Sequence, residues 1–230
     1  MIDVSWLEQT VADVPAEDYW LSAGEAGRLC GMRFPKRRAD WKLGRWTAKR
    51  ALAVYWNLPA DLRSLARLEI RSAASGAPEA FLGDGPAPVT ISISHRAGRA
   101  ACAIARPEAA LGCDLEIVEP RCDAFAADYF TVEEQELLAQ ASPADRFQLL
   151  ALLWSAKESA LKALRVGLRL DTRSVAVNNV AGQFPGDGDW HPLCVHYNGH
   201  GFHGWWRQTG NLVRTMVAAP APATPHTFQT

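Results

Sequence analysis

The chain lacks an excess of charge of either sign, with 24 Lys and Arg residues against 25 Asp and Glu residues among 230. Overall charge therefore does not point to a nucleic acid, a membrane surface or an acidic partner. Long apolar runs are also missing, since none approaches the roughly 20 residues that span a bilayer. The N-terminus has no basic segment followed by an apolar run, so we expect no signal peptide.

Cysteine is scarce, and the cysteines form an odd set without close pairs: Cys30, Cys102, Cys113, Cys122 and Cys194. An odd, scattered set is typical of reduced thiols, so we expect a cytoplasmic protein. A second group of possible ligands comprises His191, Cys194, His196, His200 and His203. Their spacing does not fit the usual paired zinc ligands, and we do not predict zinc there.

The most informative stretch is 154–162, Trp-Ser-Ala-Lys-Glu-Ser-Ala-Leu-Lys, in a leucine-rich segment with helical period. Lys157 falls inside the apolar stripe, where a charge without a partner is costly. Glu158 and Lys162 are four residues apart and hence neighbours on the helix surface. An ordinary surface salt bridge would explain that pair as well as a functional role, and the rest of the chain must decide.

Residues 110–118 read as an apolar strand containing two acids. Because side chains alternate along a strand, Asp114 and Glu116 project from the same face. Carboxylates at this spacing suit Mg²⁺, and Glu158 is the candidate for a third ligand. The alternative is an edge strand whose polar face lies in water.

Residues 89–96 alternate between apolar and polar side chains and read as a half-buried strand that ends at His95. Residues 99–105 read as the return strand of a hairpin. A histidine at a strand end is usually a polar cap, but beside a phosphate His95 and Ser94 would be useful hydrogen-bonding groups.

In this order the motifs resemble those of the 4′-phosphopantetheinyl transferases of the long, surfactin-synthetase-activating type. The resemblance covers about residues 22–218. The residues that carry it are Ser94 and His95; Gly112, Asp114 and Glu116; Phe130, Thr131 and Glu134; and Trp154, Lys157, Glu158, Ser159 and Lys162.

The resemblance implies transfer of 4′-phosphopantetheine from coenzyme A to a serine of an apo acyl, peptidyl or aryl carrier protein, with release of adenosine 3′,5′-bisphosphate. It implies a metal site for Mg²⁺, with Mn²⁺ as the alternative, on Asp114, Glu116 and Glu158. Glu158, Lys162 and Asp114 would be catalytic. The expected contacts to coenzyme A are Arg28, Arg45, Lys49, Ser94, His95, Lys157 and Lys162.

The chain departs from the family pattern at Ala77. The family commonly has Gly-Lys-Pro upstream of the Ser-His strand, and its lysine reaches a phosphate of coenzyme A. Here the triplet is Gly76-Ala77-Pro78, and Arg71 or Arg96 are candidates for the missing cation.

The segment 22–56 is strongly cationic and has interleaved aromatic residues, a pattern also found in nucleic-acid-binding proteins. Aromatic residues at helical spacing are more often core, and we predict a helix over 39–56 that contributes to anion binding. We expect no nucleic acid or membrane partner, and a monomer.

The predicted fold class is α+β, with two pseudo-symmetric halves, each a long helix packed on a small antiparallel sheet. This picture follows from the resemblance, which implies halves at 1–111 and 112–218; residues 219–230 are predicted to be a disordered tail. We further predict a loop over 72–88, a capping box at Thr131 and Glu134, and a helix that starts at Ser142-Pro143. Strands are predicted over 174–177, 193–197, 201–207 and 212–218.

Two other functions remain open from the sequence. The protein could be a non-catalytic relative that binds carrier proteins, because Ala77 removes a cation. It could also be a Mg²⁺-dependent phosphoester hydrolase, which would release phosphate from coenzyme A without a carrier.

Overall fold

The computed structural model describes residues 1–178, 180, 184 and 188–228. The helices of this part are α1 (Ala23–Cys30), α2 (Pro35–Tyr55), α3 (Leu62–Ala66), α4 (Asp123–Tyr129), α5 (Val132–Gln140) and α6 (Arg146–Ala163). The strands of the first half are β1 (Val4–Thr10), β2 (Leu68–Ser72), β3 (Pro78–Leu82), β4 (Gly85–Pro86), β5 (Thr90–Arg96) and β6 (Arg99–Ala105). The remaining strands are β7 (Ala110–Ile117), β8 (Val175–Asn178), β9 (His191–Tyr197), β10 (His200–Thr209), β11 (Leu212–Ala219) and β12 (His226–Thr227).

The α+β fold class predicted from the sequence is confirmed. In the first half α2 packs on a sheet of strand order β12-β1-β6-β5. In the second half α6 packs on an antiparallel sheet of order β7-β11-β10-β9-β8, and β2, β3 and β4 form a small third sheet. No helix in the described part of the chain is both long enough and apolar enough to cross a membrane.

The two halves meet where β5 lies beside β7, and serine side chains make the junction. The hydroxyl of Ser92 accepts a hydrogen bond from the backbone N–H of Cys113 at 2.9 Å. The hydroxyl of Ser94 accepts one from the N–H of Leu115 at 3.2 Å. The polar face of β5, expected to be solvated, is therefore buried against the second half, where it satisfies backbone donors of β7.

A buried ion pair anchors α6. The Lys157 side chain is fully buried, and its ammonium lies 2.8 Å from Glu134 and donates to the carbonyl of Thr172 at 2.9 Å. The same carboxylate accepts from the backbone N–H of Thr131 in a capping box and from that of Val177 in β8, both at 2.9 Å. The partner that Lys157 requires in the core is thus Glu134, in the first turn of α5.

The first half repeats this arrangement. The fully buried Lys49 of α2 pairs with Glu25 and donates to the carbonyl of Trp20 at 2.9 Å. Glu25 closes a capping box with Ser22 and accepts from the N–H of Ile70 in β2 at 3.0 Å. The sequence signal is the same Ser/Thr-x-x-Glu pattern in both halves, which supports the pseudo-symmetric description.

Two segments expected to be irregular are regular. The predicted loop over 72–88 contains β3 and β4, because β3 pairs with β2 through a tight turn that the Ala, Gly and Pro composition concealed. The predicted disordered tail is wrong for residues 220–228, since β12 pairs in parallel with β1 and the N–H of Phe228 donates to the carbonyl of Trp6 at 2.8 Å. Residues 229 and 230 lie outside the described part.

Other boundaries differ by a few residues. Helix α2 begins at Pro35 rather than at 39, because proline at the first helical position needs no hydrogen-bond partner for its nitrogen. Helix α6 begins at Arg146, after a turn in which Ser142 and Asp145 bond each other. Strand β1 and helix α1 were not predicted.

Glycine at position 112 permits the close approach of β7 to α6. A Cβ atom at this position would lie 1.8 Å from the carbonyl oxygen of Ser159 and 2.7 Å from the backbone nitrogen of Ala163. Both are backbone atoms, so neither a rotamer change nor a side-chain shift relieves the contact. The glycine of the Gly-x-Asp-x-Glu motif is therefore required for packing.

Gly112→Ala should destabilise the protein by about 3 kcal/mol or more, the upper range for overpacking. For a chain of this size that corresponds to a fall in Tm on the order of 10 °C, measured by thermal denaturation. Gly27→Ala is the matched control, because a Cβ there would contact nothing within 4 Å. The control should gain about 0.5–1 kcal/mol from helix propensity. Equal Tm values for Gly112→Ala and wild type would contradict this account.

Candidate active site

Asp114, buried in β7, is the centre of the candidate site. Its Oδ1 lies 2.7 Å from the ammonium of Lys162 and accepts a hydrogen bond from the Ser94 hydroxyl at 2.8 Å. Lys162 also donates to the carbonyl of Cys113 at 3.0 Å. The structure thus pairs Lys162 across the interface between α6 and β7, and not in the helix-surface bridge with Glu158 that the sequence left open.

These contacts keep Lys162 charged. Burial favours the neutral amine, but the attraction of Asp114 and Glu158 outweighs it and raises the pKa of Lys162 above its ordinary value. The single O–H donor of Ser94 is given to Asp114, and its oxygen accepts from the N–H of Leu115, so its placement favours holding Asp114 over the predicted contact with a phosphate.

Glu116, also buried, lies two residues further along β7 in a network that sequence reasoning missed. Its carboxylate pairs with Arg96 at 3.0 Å and with Arg121 at 3.4 Å. Both arginines also bind Glu119, at 2.6 and 3.0 Å. Burial raises the pKa of Glu116, although the two guanidinium groups oppose that shift. Because the arginines come from the β5–β6 turn and from the segment after β7, no local pattern would have identified them.

Glu158 is half-buried and has no hydrogen bond or ion pair with another described residue. Burial raises the pKa of Glu158, the negative charges of Asp114 and Glu116 add to the rise, and Lys162 opposes it. A partly desolvated carboxylate near two others can act as a proton acceptor, or it can be relieved by a cation.

The donor chemistry of the three acids fits a divalent cation. Carboxylate oxygens are what Mg²⁺ prefers, and the repulsion felt by Glu158 would be relieved by positive charge between Glu158 and Asp114. In the structure Lys162 and the arginines cover Asp114 and Glu116, and the described residues contain no group of three or more His, Cys, Asp or Glu side chains arranged to hold a metal. The predicted metal site therefore stays a prediction.

A cleft of about 560 Å³, which we call the cationic cleft, lies between α2 and β5. Its charged and aromatic lining comprises Phe34, Lys36, Arg37, Asp40, Trp41, Arg45 and His95. The guanidinium of Arg45 stacks 4.9 Å from the Trp41 ring, and its buried Nε lies 4.0 Å from the Glu25 carboxylate, too far for a hydrogen bond. Burial lowers the pKa of Arg45 to about 10, so it stays a cation at neutral pH. A cleft lined by several cations is suited to an anionic ligand.

Arg28 and His95 border the same region. Arg28 donates to the Ser72 hydroxyl at 3.2 Å and lowers the pKa of Arg45 by repulsion, a sign that the two guanidinium groups lie within reach of one another. Although His95 is exposed as a residue, the protein around its ring partly desolvates it, and this lowers its pKa. The desolvation outweighs the nearby charge of Asp40, so the imidazole is neutral at neutral pH. The structure thus brings Arg28, Arg45 and His95 to one side of the molecule, as the predicted set of contacts requires.

The structure does not bring Lys49 or Lys157 there. Both ammonium groups lie in the core with a glutamate and with backbone carbonyls, so neither reaches a cleft. The predicted contacts of Lys49 and Lys157 with coenzyme A are corrected to a structural role. The physical reason is that a fully buried ammonium is stabilised by partners inside the protein and is out of reach of a ligand.

A second cleft of about 240 Å³, the central cleft, lies between the halves. The loop at Ser75–Pro78 and β5 line one side, and Leu111 with the end of α6 lines the other. Its cations are Lys162 and Arg165, and Ala77 lies on the facing side. Sequence reasoning missed Arg165 because it lies beyond the motif.

The hairpin of β9 and β10 brings Cys194 together with His196 and His203. The sulfur lies 3.9 Å from a ring nitrogen of each histidine, and Asn178 contacts His196 at 3.1 Å. As stated above, the described residues do not form a metal group, and the hairpin lies on the far strands of the second sheet.

Residues 110–202 match the model of the 4′-phosphopantetheinyl transferase superfamily. The matched stretch contains Asp114, Glu116, Glu158 and Lys162, and it confirms the resemblance and the transferase class at the level of the superfamily. The long type stays a prediction.

Among solved structures, a holo-[acyl-carrier-protein] synthase from Thermotoga maritima is similar to this chain. The sequences are 19% identical, the TM-score is 0.33, and the alignment covers 47% of this chain and 61% of that chain. This chain thus matches less than two thirds of that protein's length. Among curated proteins, none matches the chain.

In buffer with a chelator, Glu158→Gln should be more stable than wild type at neutral pH. A carboxyl whose pKa is raised on folding contributes stability below its ordinary pKa of 4.5, and loses it as the pH rises through the folded-state pKa. The Tm difference between the variant and wild type should therefore vanish below the ordinary pKa of 4.5. It should grow as the pH rises from there through the folded-state pKa. Mg²⁺ should raise the Tm of wild type more than that of the variant.

The control is Glu136→Gln on the exposed face of α5, which should leave the dependence of Tm on pH unchanged. If Tm depends on pH in the same way for wild type and Glu158→Gln across the whole range, the pKa of Glu158 is not raised by folding and this account is wrong.

Proposed function

We propose that the protein transfers 4′-phosphopantetheine from coenzyme A to a serine hydroxyl of an apo carrier protein and releases adenosine 3′,5′-bisphosphate. The observation that supports this most is the charge arrangement at the junction of the halves. There the ammonium of Lys162 lies 2.7 Å from the carboxylate of Asp114. The carboxylate of Glu158 interacts electrostatically with both groups. The match of this region to the superfamily supports the same conclusion.

Asp114, Glu116 and Glu158 would hold Mg²⁺ next to the pyrophosphate of coenzyme A. When bound, the ion supplies charge neutralisation on the phosphate oxygens. The protein contributes the preorganisation of the carboxylates: Ser94 fixes Asp114, and Arg96 with Arg121 fixes Glu116. Such positioning is the main source of catalysis in phosphoryl transfer.

In the chemical step the carrier serine oxygen forms a bond to the phosphorus of the phosphopantetheine group. The bond between that phosphorus and the bridging oxygen breaks, and adenosine 3′,5′-bisphosphate leaves with the electron pair. The serine proton goes to Glu158, directly or through a water. Lys162 stabilises the negative charge that develops on the leaving phosphate.

The anionic nucleotide end of coenzyme A fits the cationic cleft. Arg45 and Arg37 supply guanidinium groups there, Arg28 lies within reach of Arg45, and His95 adds a neutral imidazole. Arginine is suited to this role because its planar fork binds phosphate through two parallel hydrogen bonds. The monomeric state and the cytoplasmic location stay predictions.

The experiment is to incubate the protein with coenzyme A, Mg²⁺ and several apo carrier proteins, and to measure the mass of each carrier. A mass gain equal to phosphopantetheine on a serine supports the proposal. Phosphate release from coenzyme A without a carrier would favour the hydrolase, and carrier binding without any modification would favour the non-catalytic relative. The set of carriers that gain mass defines the pathway served.

Lys162→Ala should lower kcat by about 10²–10³, the usual effect of losing one preorganised charge at the reacting group. It should also lower stability by about 1–3 kcal/mol, because the buried Asp114 keeps only Ser94 as a side-chain partner. Turnover is therefore measured well below the Tm of the variant, with circular dichroism as the check of folding. Normal turnover in a folded Lys162→Ala variant would remove Lys162 from the mechanism.

A further inference from the structure

Arg165 occupies a backbone conformation that does not suit arginine. It ends α6 with φ of 56°, in the left-handed region. The N–H of Val166 donates to the carbonyl of Leu161, and that of Arg165 to the carbonyl of Lys162, so the helix closes in the turn that usually has glycine at this position. An arginine there is strained, and persistent strain of this kind is concentrated at functional sites.

The side chain of Arg165 also makes only a weak ion pair. Among the described residues it pairs with Glu79, at 3.6 Å, and both side chains are nearly half exposed, at 48% and 42%. An exposed pair at that distance contributes little and is easily replaced by a ligand. By contrast, Lys162 in the same cleft is held at 2.7 Å on the buried Asp114. Arg165 is therefore the more available of the two cations in the central cleft.

The two cations that the sequence offered in place of a lysine at Ala77 are both engaged. Arg71 bonds Glu69 at 3.0 Å and stacks 4.0 Å from the Phe81 ring. Arg96 pairs with Glu116 and Glu119, as described above. Arg165, in contrast, lines the same cleft as Ala77, from the opposite half of the molecule.

We propose that Arg165 binds a phosphate group of coenzyme A in the central cleft and supplies from the second half the cation that position 77 lacks. The inference rests on the proposed function, since it names a binding residue for the same substrate. Arg165 is a binding residue and takes no part in bond making. A contact of this type acts equally in the ground state and in the transition state, so it affects KM and not kcat.

The central variant is Arg165→Gly, because the proposal predicts opposite effects on stability and binding. Glycine relieves the left-handed conformation, so the Tm should rise. Loss of a charge-assisted hydrogen bond should weaken the binding of coenzyme A about tenfold by calorimetry and raise KM by a similar factor, with kcat unchanged. Weaker binding in a more stable protein cannot result from misfolding.

The second variant adds Ala77→Lys. In wild type this change should leave the KM for coenzyme A unchanged or raise it through repulsion from Arg165. In the Arg165→Gly background it should restore most of the lost affinity, because the new ammonium enters the same cleft. Arg173→Ala is the matched control, since this exposed arginine pairs with Asp171 at 2.8 Å and does not line the central cleft.

Two results would overturn the inference. The first is equal affinity for coenzyme A in wild type and Arg165→Gly. The second is a loss of affinity for coenzyme A in Arg165→Gly without the specificity described: Ala77→Lys fails to restore the affinity, or Arg173→Ala lowers it by the same factor. Failure of the proposed function would look different, because wild type itself would then neither bind coenzyme A nor modify a carrier.

Discussion

The orientation of Glu158 and Lys162 depends on the buried ion pair between Lys157 and Glu134. Removing two charges from water is costly, and the cost is offset here because the pair also binds two carbonyls and two backbone N–H groups. These contacts join α5, α6 and the strand β8, and so fix the rotation of α6 about its axis. With Lys157 directed into the core, its neighbour Glu158 and then Lys162, one turn further on, face the junction with β7.

The first half uses the same kind of buried ion pair to orient its long helix α2. Lys49 and Glu25 fix the rotation of α2 as Lys157 and Glu134 fix that of α6. Arg45, one turn before Lys49, is thereby held at the cationic cleft. Each half therefore uses one buried lysine to orient a helix and a different residue of that helix to line a cleft. Cations that look equivalent in the sequence thus differ in role: a fully buried lysine orients its helix, and a cation that lines a cleft is available to a ligand.

The sequence was sufficient where local chemistry decides the outcome, and insufficient where partners are distant. Strand alternation placed Asp114 and Glu116 together, and the capping box at Thr131 was correct. Periodicity showed that Lys157 needed a partner but could not name Glu134, which lies 23 positions earlier. The involvement of Arg96, Arg121 and Arg165 depends on which strands and turns meet, and the order of β12 beside β1 depends on the far ends of the chain. Composition misled most in segments rich in Ala, Gly and Pro, where strands were hidden.

The pairing of β12 with β1 has a consequence for the order in which the protein can be made. The N–H of Ile2 donates to the carbonyl of Ala221 at 3.0 Å, and Ser5 lies opposite His226, so the outer strand of the first sheet comes from residues that follow the whole second half in the sequence. While the second half is being synthesised, β1 presents a bare edge, which is open to unwanted pairing with other chains. The first sheet can therefore be completed only after residues 226 and 227 have been synthesised, later than all strands of the second sheet.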